Sequence, residues 1–383
     1  MNVITCIEDL RVLAQRRVPR MFYDYADSGS WTESTYRANE SDFQSIKLRQ
    51  RVAVNMDNRS TATTMLGRPV AMPVAIAPTG MTGMQHADGE ILGAQAAEAF
   101  GVPFTLSTMS ICSIEDVAAN TTAPFWFQLY VMKDKGFIHS LIDRAKAAKC
   151  EALVLTLDLQ ILGQRHKDLK NGLSAPPKLT LPNLINMATK PRWCLGMLGT
   201  PRRQFGNIVG HVKGVGDMSS LSEWTAKQFD PQLSWSDVQW IRDRWGAKLI
   251  IKGIIDEEDA KLAAATGADA LIVSNHGGRQ LDGAESSIRA LPRIVDAVGD
   301  RIEVHLDGGI RSGQDVLKAW ALGARGTYIG RAFLYGLGAM GRPGVTRALE
   351  IIHRELELTM AFCGHRELRN AGRDILLPGT FPQ

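Results

Sequence analysis

Eight short apolar runs, each leading into an alanine-rich helical pattern, constrain this chain more than any other feature. They fall at Pro73–Pro78, Pro103–Ser107, Phe125–Tyr130, Ala152–Asp158, Lys248–Gly253, Ala270–Asn275, Ile302–Asp307 and Thr327–Gly330. Most lie about 20–33 residues apart, the spacing of strand–helix units. The helical patterns between them are Gly89–Phe100, Ile114–Ala119, Lys135–Lys149, Trp235–Trp245, Glu257–Thr266, Ile288–Val298 and Ser312–Leu322. The runs are apolar throughout rather than alternating, as strands are in a parallel sheet covered on both faces. Eight such units predict an α/β fold of the (β/α)8 TIM-barrel type. A doubly wound sheet would carry a GxGxxG turn after an early strand, and none is present.

Two regions break the repeat. Residues 1–70 hold helix patterns and the polar, aromatic run Tyr23–Tyr36, and are expected to cap one end of the barrel. After the fourth strand comes an insertion, 172–231, with Pro176-Pro177, Trp193, Trp224 and the basic residues Lys190, Arg192, Arg202 and Arg203. A loop of that length reads as a lid, a binding segment or disordered chain. One domain over 1–383 follows, with a cap (1–70), a barrel (71–171 and 232–383) and an inserted loop (172–231). A net charge of +4 without a lysine/arginine block argues against nucleic acid. Five scattered cysteines without a CxxC pair predict reduced thiols, a cytoplasmic setting and no metal site. The first twenty residues read as an amphipathic helix without a signal peptide's apolar core. No stretch suits a bilayer span, so the protein is expected to be soluble or at most peripheral.

In a barrel, the C-terminal ends of the strands meet at one mouth. Here those ends read Gln128-Leu129-Tyr130, Thr156-Leu157-Asp158, Lys252-Gly253, Asn275-His276, Asp307-Gly308-Gly309 and Gly330-Arg331. Singly, each has a structural reading: Asp158 could cap a helix, Lys252 and Arg331 could be solvated, Tyr130 could be core. Six strands placing polar groups at the same end point to a functional mouth. The sixth strand runs into SNHGGRQLDG at Ser274–Gly283. His276 can exchange a proton near neutral pH, and Arg279 can fork a carboxylate. After strands seven and eight, Asp307-Gly308-Gly309-Ile310-Arg311 and Gly330-Arg331 set glycine amides and arginines where barrels bind phosphate.

These strings resemble the FMN-dependent α-hydroxy acid dehydrogenase/oxidase family over nearly the whole chain. SNHGGRQLDG is similar to that family's signature, and APTGMTGM at Ala77–Met84, TLSTMS at Thr105–Ser110, FQLY at Phe127–Tyr130, LTLD at Leu155–Asp158, IKG at Ile251–Gly253 and LDGGIRSG at Leu306–Gly313 match further. The resemblance implies FMN as cofactor. It implies that His276 is the general base and that Asp158 orients its imidazole. Arg279, Arg165 and Tyr25 would hold the substrate carboxylate, and Tyr130 the substrate oxygen. Lys252 would face the flavin's pyrimidine edge. Ser107, Gln128 and Thr156 would contact the ring, Asp307 the ribityl chain, and Gly308, Gly309, Arg311, Gly330 and Arg331 the phosphate end.

The implied reaction is oxidation of an L-2-hydroxy acid to the 2-keto acid, with L-lactate the expected substrate. Met109 is expected to border the substrate side chain, and Gly80 to leave room beside the flavin. MATKPRW and FGNI in the insertion are similar to quinone-linked bacterial members, which implies quinone as acceptor and peripheral contact of 172–231 with the cytoplasmic membrane. The resemblance also implies a homo-oligomer, a tetramer. The alternatives are a soluble oxidase that passes electrons to oxygen and makes hydrogen peroxide, or a non-catalytic flavin-binding barrel.

Overall fold

The structure is a computed structural model that describes residues 3–173, 180–212 and 228–382. Pro176-Pro177 and Trp224 lie outside the described residues. A hairpin, β1 (Thr63–Met65) and β2 (Arg68–Val70), precedes eight parallel strands. These are β3 (Val74–Ile76), β4 (Thr105–Ser107), β5 (Trp126–Tyr130), β6 (Ala152–Thr156), β7 (Lys248–Ile254), β8 (Ala270–Val273), β9 (Glu303–Asp307) and β10 (Gly326–Ile329). They pair in the order β3-β10-β9-β8-β7-β6-β5-β4. The remaining seam, β3 to β4, is joined by an Ile76–Phe104 bridge, and Ile76 N donates to the Pro103 carbonyl at 2.8 Å. The sheet is thus a barrel.

Its interior is filled from alternate positions: Ala75, Trp126, Ala152, Val154, Ile250, Ala270, Ile272 and Tyr328 form one buried cluster with Met65, Leu66 and Val70 of the hairpin. The opposite strand faces pack against the surrounding helices in a larger apolar cluster. Both faces are therefore covered, which explains the unbroken apolar runs. The helices start where their caps predict. Ser113 and Ser312 each accept from the amide three residues on, while Asp116 and Asp315 return the bond.

The N-terminal segment serves both ends of the barrel rather than one. The hairpin closes the floor: Leu66 bonds Glu303 and Lys248, at the starts of β9 and β7. Residues 25–28 lie at the mouth, where their carbonyls accept from Arg279 and Arg331. The insertion also departs from a loop. Two helices, Leu181–Ala188 and Pro191–Gly199, each with proline in the first turn, occupy part of it. Four of its basic and aromatic residues are tied to the rest of the chain. Trp193 stacks on Phe22 and donates to the Met84 carbonyl at 2.8 Å, Arg202 pairs with Asp88 and Asp116, and Lys190 and Arg203 bond backbone carbonyls. The large side chains these helices leave exposed are mainly apolar, Leu181, Leu184, Ile185, Leu195 and Leu198, with Arg192 among them.

Candidate active site

The strand ends surround a cavity of about 1280 Å³, counting its open, solvent-filled mouth. His276, Lys252, Tyr130, Asp307, Arg165, Arg279, Arg311 and Arg331 all line it. At the end of β8 the chain turns left-handed for three consecutive residues, with φ of 58° at His276, 66° at Gly277 and 72° at Gly278. Conformation calls for both glycines, and at Gly278 space does so too. A Cβ on Gly277 would stand 2.7 Å from Arg331 Nη1, and one on Gly278 would run into the Tyr36 backbone. The turn projects the His276 ring to Asp158, which follows β6, with Nδ1 2.9 Å from Oδ1. Gly253 makes room for that carboxylate: a Cβ there would lie 2.8 Å from Asp158 Cγ.

Burial sets the charges of this pair. It pushes the imidazole below its ordinary value, against the pull of Asp158, so that His276 is neutral at neutral pH. Burial would push the Asp158 carboxyl up, but His276 and Lys252 outweigh it and hold it below the usual carboxylate range. An ionised Asp158 accepts from Nδ1–H and leaves the Nε2 lone pair for a ligand. Asp158 Oδ2 is buried with no hydrogen-bond partner among the described residues.

A second set of polar groups lies across the strand ends. Lys252 Nζ stands 2.9 Å from both Asp307 Oδ2 and Ser274 Oγ, and Ser274 donates to Asp307 at 2.8 Å. Burial alone would drive the Lys252 ammonium to lose its proton, but Asp307 and Asp158 hold it charged. The register of β7 against β8 shifts between Lys252 and Ile254, a bulge centred on Gly253 with φ 103°. Ser107 Oγ donates to Gln128 Oε1 and Gln128 Nε2 to Thr156 Oγ1, each at 3.1 Å, so β4, β5 and β6 share one amide-centred row.

The arginines divide into two groups. Arg279 and Arg165 flank the Tyr25 ring, 4.6 and 5.8 Å from its centroid. Arg165 pairs with Asp168. Arg279 bonds only the Tyr25 and Ser28 carbonyls and the Ser28 hydroxyl among the described residues, and no carboxylate pairs with it. Burial first, and Arg165 second, push its guanidinium down to about 10, still charged at neutral pH. Arg331 starts the helix Arg331–Met340, stacks on Tyr36 and bonds the Ala26 and Ser28 carbonyls. Arg311 pairs with Glu40 at 2.7 Å and faces the cavity beside Gly308 and Gly309.

Of the charged and tyrosine site residues expected from the sequence, all but Asp158 therefore line one cavity; Asp158 stands behind His276 and reaches the cavity through it, while Ser107, Gln128 and Thr156 form the row of strand-end hydrogen bonds beside it. Leu159, Leu162, Phe205 and Phe229 also line the cavity and were not legible beforehand. Phe229 is brought to Tyr130, at a ring-centroid distance of 6.0 Å, only by the fold of the insertion's end.

Cations at separate points, glycine turns that admit no side chain and an apolar wall from Ala77 to Gly80 define a barrel enzyme for a phosphate-bearing planar cofactor beside an anionic substrate. The chain belongs to the FMN-dependent dehydrogenase family, whose match runs over residues 14–378, and FMN is its cofactor. It is 46% identical to an L-lactate dehydrogenase of Caulobacter vibrioides (strain NA1000 / CB15N), over 98% of each chain. It is 43% identical to one of Ectopseudomonas mendocina (strain ymp), over 98% of this chain and 99% of that one. Among solved structures, it is similar to a monotopic membrane protein, (S)-mandelate dehydrogenase, with TM-score 0.93, 35% identity and coverage of 98% and 100%. A mandelate oxidase structure matches with TM-score 0.82 and 32% identity, over 98% of each chain.

Proposed function

We propose that this FMN-dependent L-2-hydroxy acid dehydrogenase takes L-lactate foremost, oxidises it to the 2-keto acid and passes the electrons to quinone. The observation that carries the substrate class is Arg279: a half-buried guanidinium in the cavity of His276, beside a second guanidinium, with no carboxylate paired to it among the described residues. Such a group is costly unless an anion joins it, and a substrate carboxylate supplies the missing charge.

Arg279 and Arg165 bind that carboxylate, and Tyr25 presents its hydroxyl beside them. Tyr130, whose hydroxyl takes no protein hydrogen bond among the described residues, holds the substrate's hydroxyl oxygen. His276 Nε2 removes a proton from the substrate, and Asp158 stabilises the imidazolium that results. Met109, Leu159, Phe205 and Phe229 exclude water around the substrate side chain. Bound FMN supplies the two-electron acceptor. Ser107, Gln128, Thr156 and Lys252 would hold its ring, with the Lys252 charge set where the reduced ring gathers negative charge. Asp307 would take the ribityl chain, and the Gly308, Gly309 and Gly330 amides with Arg311 and Arg331 would take the phosphate.

The test is anaerobic addition of L-lactate, glycolate, mandelate and D-lactate while the yellow flavin band is followed. Bleaching by the L-acids, L-lactate fastest, is expected; a band unmoved by every hydroxy acid would leave a non-catalytic flavin barrel. Reoxidation by a quinone analogue against oxygen, in stopped flow, separates dehydrogenase from oxidase.

We also infer peripheral membrane contact through the insertion. No helix among the described residues is long and apolar enough to cross a membrane. Leu181, Leu184 and Ile185, with Leu195 and Leu198, leave an apolar surface on two short helices, the composition of an interfacial segment. The apolar side chains, rather than the basic ones, support this reading. Sedimentation with anionic vesicles should fall when Leu184 and Ile185 are changed to aspartate, and equal sedimentation would remove the membrane claim.

A further inference from the structure

A buried carboxylate that the reaction does not use collects hydroxyls from three helices. Asp27 follows the helix Arg20–Ala26 and is 7% exposed. It accepts from Tyr23 at 2.8 Å, from Tyr36 in the helix Ser34–Ser45 at 2.8 Å, and from Tyr335 in the helix Arg331–Met340 at 2.7 Å. Arg11 adds a fourth contact at 3.3 Å. Burial would push this carboxyl up, but the three hydroxyls outweigh it and hold it at about 2.

The backbone on either side of Asp27 aims two arginines. Arg331 Nε donates to the Ala26 carbonyl at 3.0 Å and its Nη2 to the Ser28 carbonyl at 2.7 Å. Arg279 Nη1 donates to the carbonyls of Tyr25 and Ser28. The Ser28 carbonyl serves both. Each guanidinium has five N–H donors in a fixed plane, so carbonyls that take one edge direct the rest toward a ligand anion.

We propose that Asp27 is a positioning residue, and that the Tyr25–Ser28 segment it anchors couples the cofactor-phosphate end of the cavity to the substrate-carboxylate end. The inference rests on the reading of Arg331 as a phosphate group and Arg279 as a carboxylate group. Ordering the segment for one anion lowers the cost of ordering it for the other, and the coupling is reciprocal. A rival effect has the opposite sign. Asp27 is itself an anion, and by Coulomb's law alone its removal would tighten phosphate binding.

The full chain, stripped of flavin, is titrated with FMN and with riboflavin, which lacks the phosphate, by flavin fluorescence. Asp27→Asn should weaken FMN about tenfold, the effect of losing hydrogen bonds to a charged group, and leave riboflavin unchanged. Asp27→Glu should restore part of the difference. Oxalate, a dicarboxylate with no α-hydrogen to lose, should bind the FMN-loaded wild type more tightly than the riboflavin-loaded one, and equally in Asp27→Asn. A preference for FMN that is unchanged or larger in Asp27→Asn overturns the proposal. Arg331→Met separates the two levels: if it keeps the FMN preference, the phosphate reading itself fails. Should Asp27→Asn not fold, Tyr36→Phe and Tyr335→Phe each remove one donor, and an unchanged preference in both overturns the proposal equally.

Discussion

The floor and the mouth of this barrel are built from the same strands, yet they treat polar groups in opposite ways. At the floor, charges find partners within the chain: Lys248 and Arg68 share Glu151, and the fully buried His305 bonds Glu303 and Tyr328. At the mouth, among the described residues, Arg279 pairs with no carboxylate, the Tyr130 hydroxyl takes no hydrogen bond and Asp158 Oδ2 is buried unpaired. Thr105 Oγ1, at the start of β4, is also buried without a partner among the described residues, but the charged groups left incomplete lie at the mouth; because such groups cost stability, they mark where a ligand completes the structure. The floor is arranged for folding, and the mouth for what it binds.

That contrast can be broken by substitution at each end. His276→Ala should lower the rate of flavin bleaching by hydroxy acid about 10²–10⁴-fold, the usual worth of a general base, while the protein keeps its yellow colour. A wild-type rate in stopped flow would remove His276 from the reaction. Trp126→Ala, at the fully buried centre of the barrel, should cost about 3–5 kcal/mol of stability, read as a lower thermal midpoint. Its bleaching rate at low temperature should stay that of the wild type; a lost rate would mean that floor and mouth are not separable.

Arg279→Met should raise KM for hydroxy acids more than it lowers kcat. The loss in kcat/KM corresponds to the ~2–5 kcal/mol of breaking a buried charge pair, and an unchanged KM would place the carboxylate elsewhere. The pH profile gives a smaller, signed effect. Because burial holds the His276 pKa below its ordinary value, kcat/KM should be flat near neutrality and fall tenfold per unit only below that lowered pKa. Asp158→Asn removes the charge that favours the imidazolium, so this acid limb should move to still lower pH. A limb that stays in place would separate Asp158 from His276.

The smallest effect is on acid stability. Asp27 contributes fully above its unfolded value of 3.8, and the contribution is lost as pH falls toward its folded value of about 2. The difference is about 2 kcal/mol. Asp27→Asn should flatten that part of the stability curve, measured by denaturant unfolding between those two pH values.

Much of this arrangement was legible in the sequence because a barrel converts strand order into proximity. Once eight apolar runs are recognised, their C-terminal residues must share a mouth, and His276, Asp158, Lys252 and Arg331 follow from their places alone. The hairpin at the floor was not legible, since Thr63–Met65 and Arg68–Val70 are too short to show a period. Nor were the helices Leu181–Ala188 and Pro191–Gly199, which are brief, open on proline and are set in a stretch read as loop. Phe205 and Phe229 reach the cavity through long-range packing that leaves no local signal. Asp27 escaped notice for the same reason: its partners are scattered from Arg11 to Tyr335.

The left-handed backbone at His276 carries an evolutionary consequence. Glycine adopts that conformation without the roughly 1 kcal/mol or more that another residue stores there. A drift toward better folding would thus favour the one replacement that removes the imidazole. The proton-accepting role proposed for His276 opposes that drift, and a His276→Gly protein should be the more robust fold and the poorer enzyme.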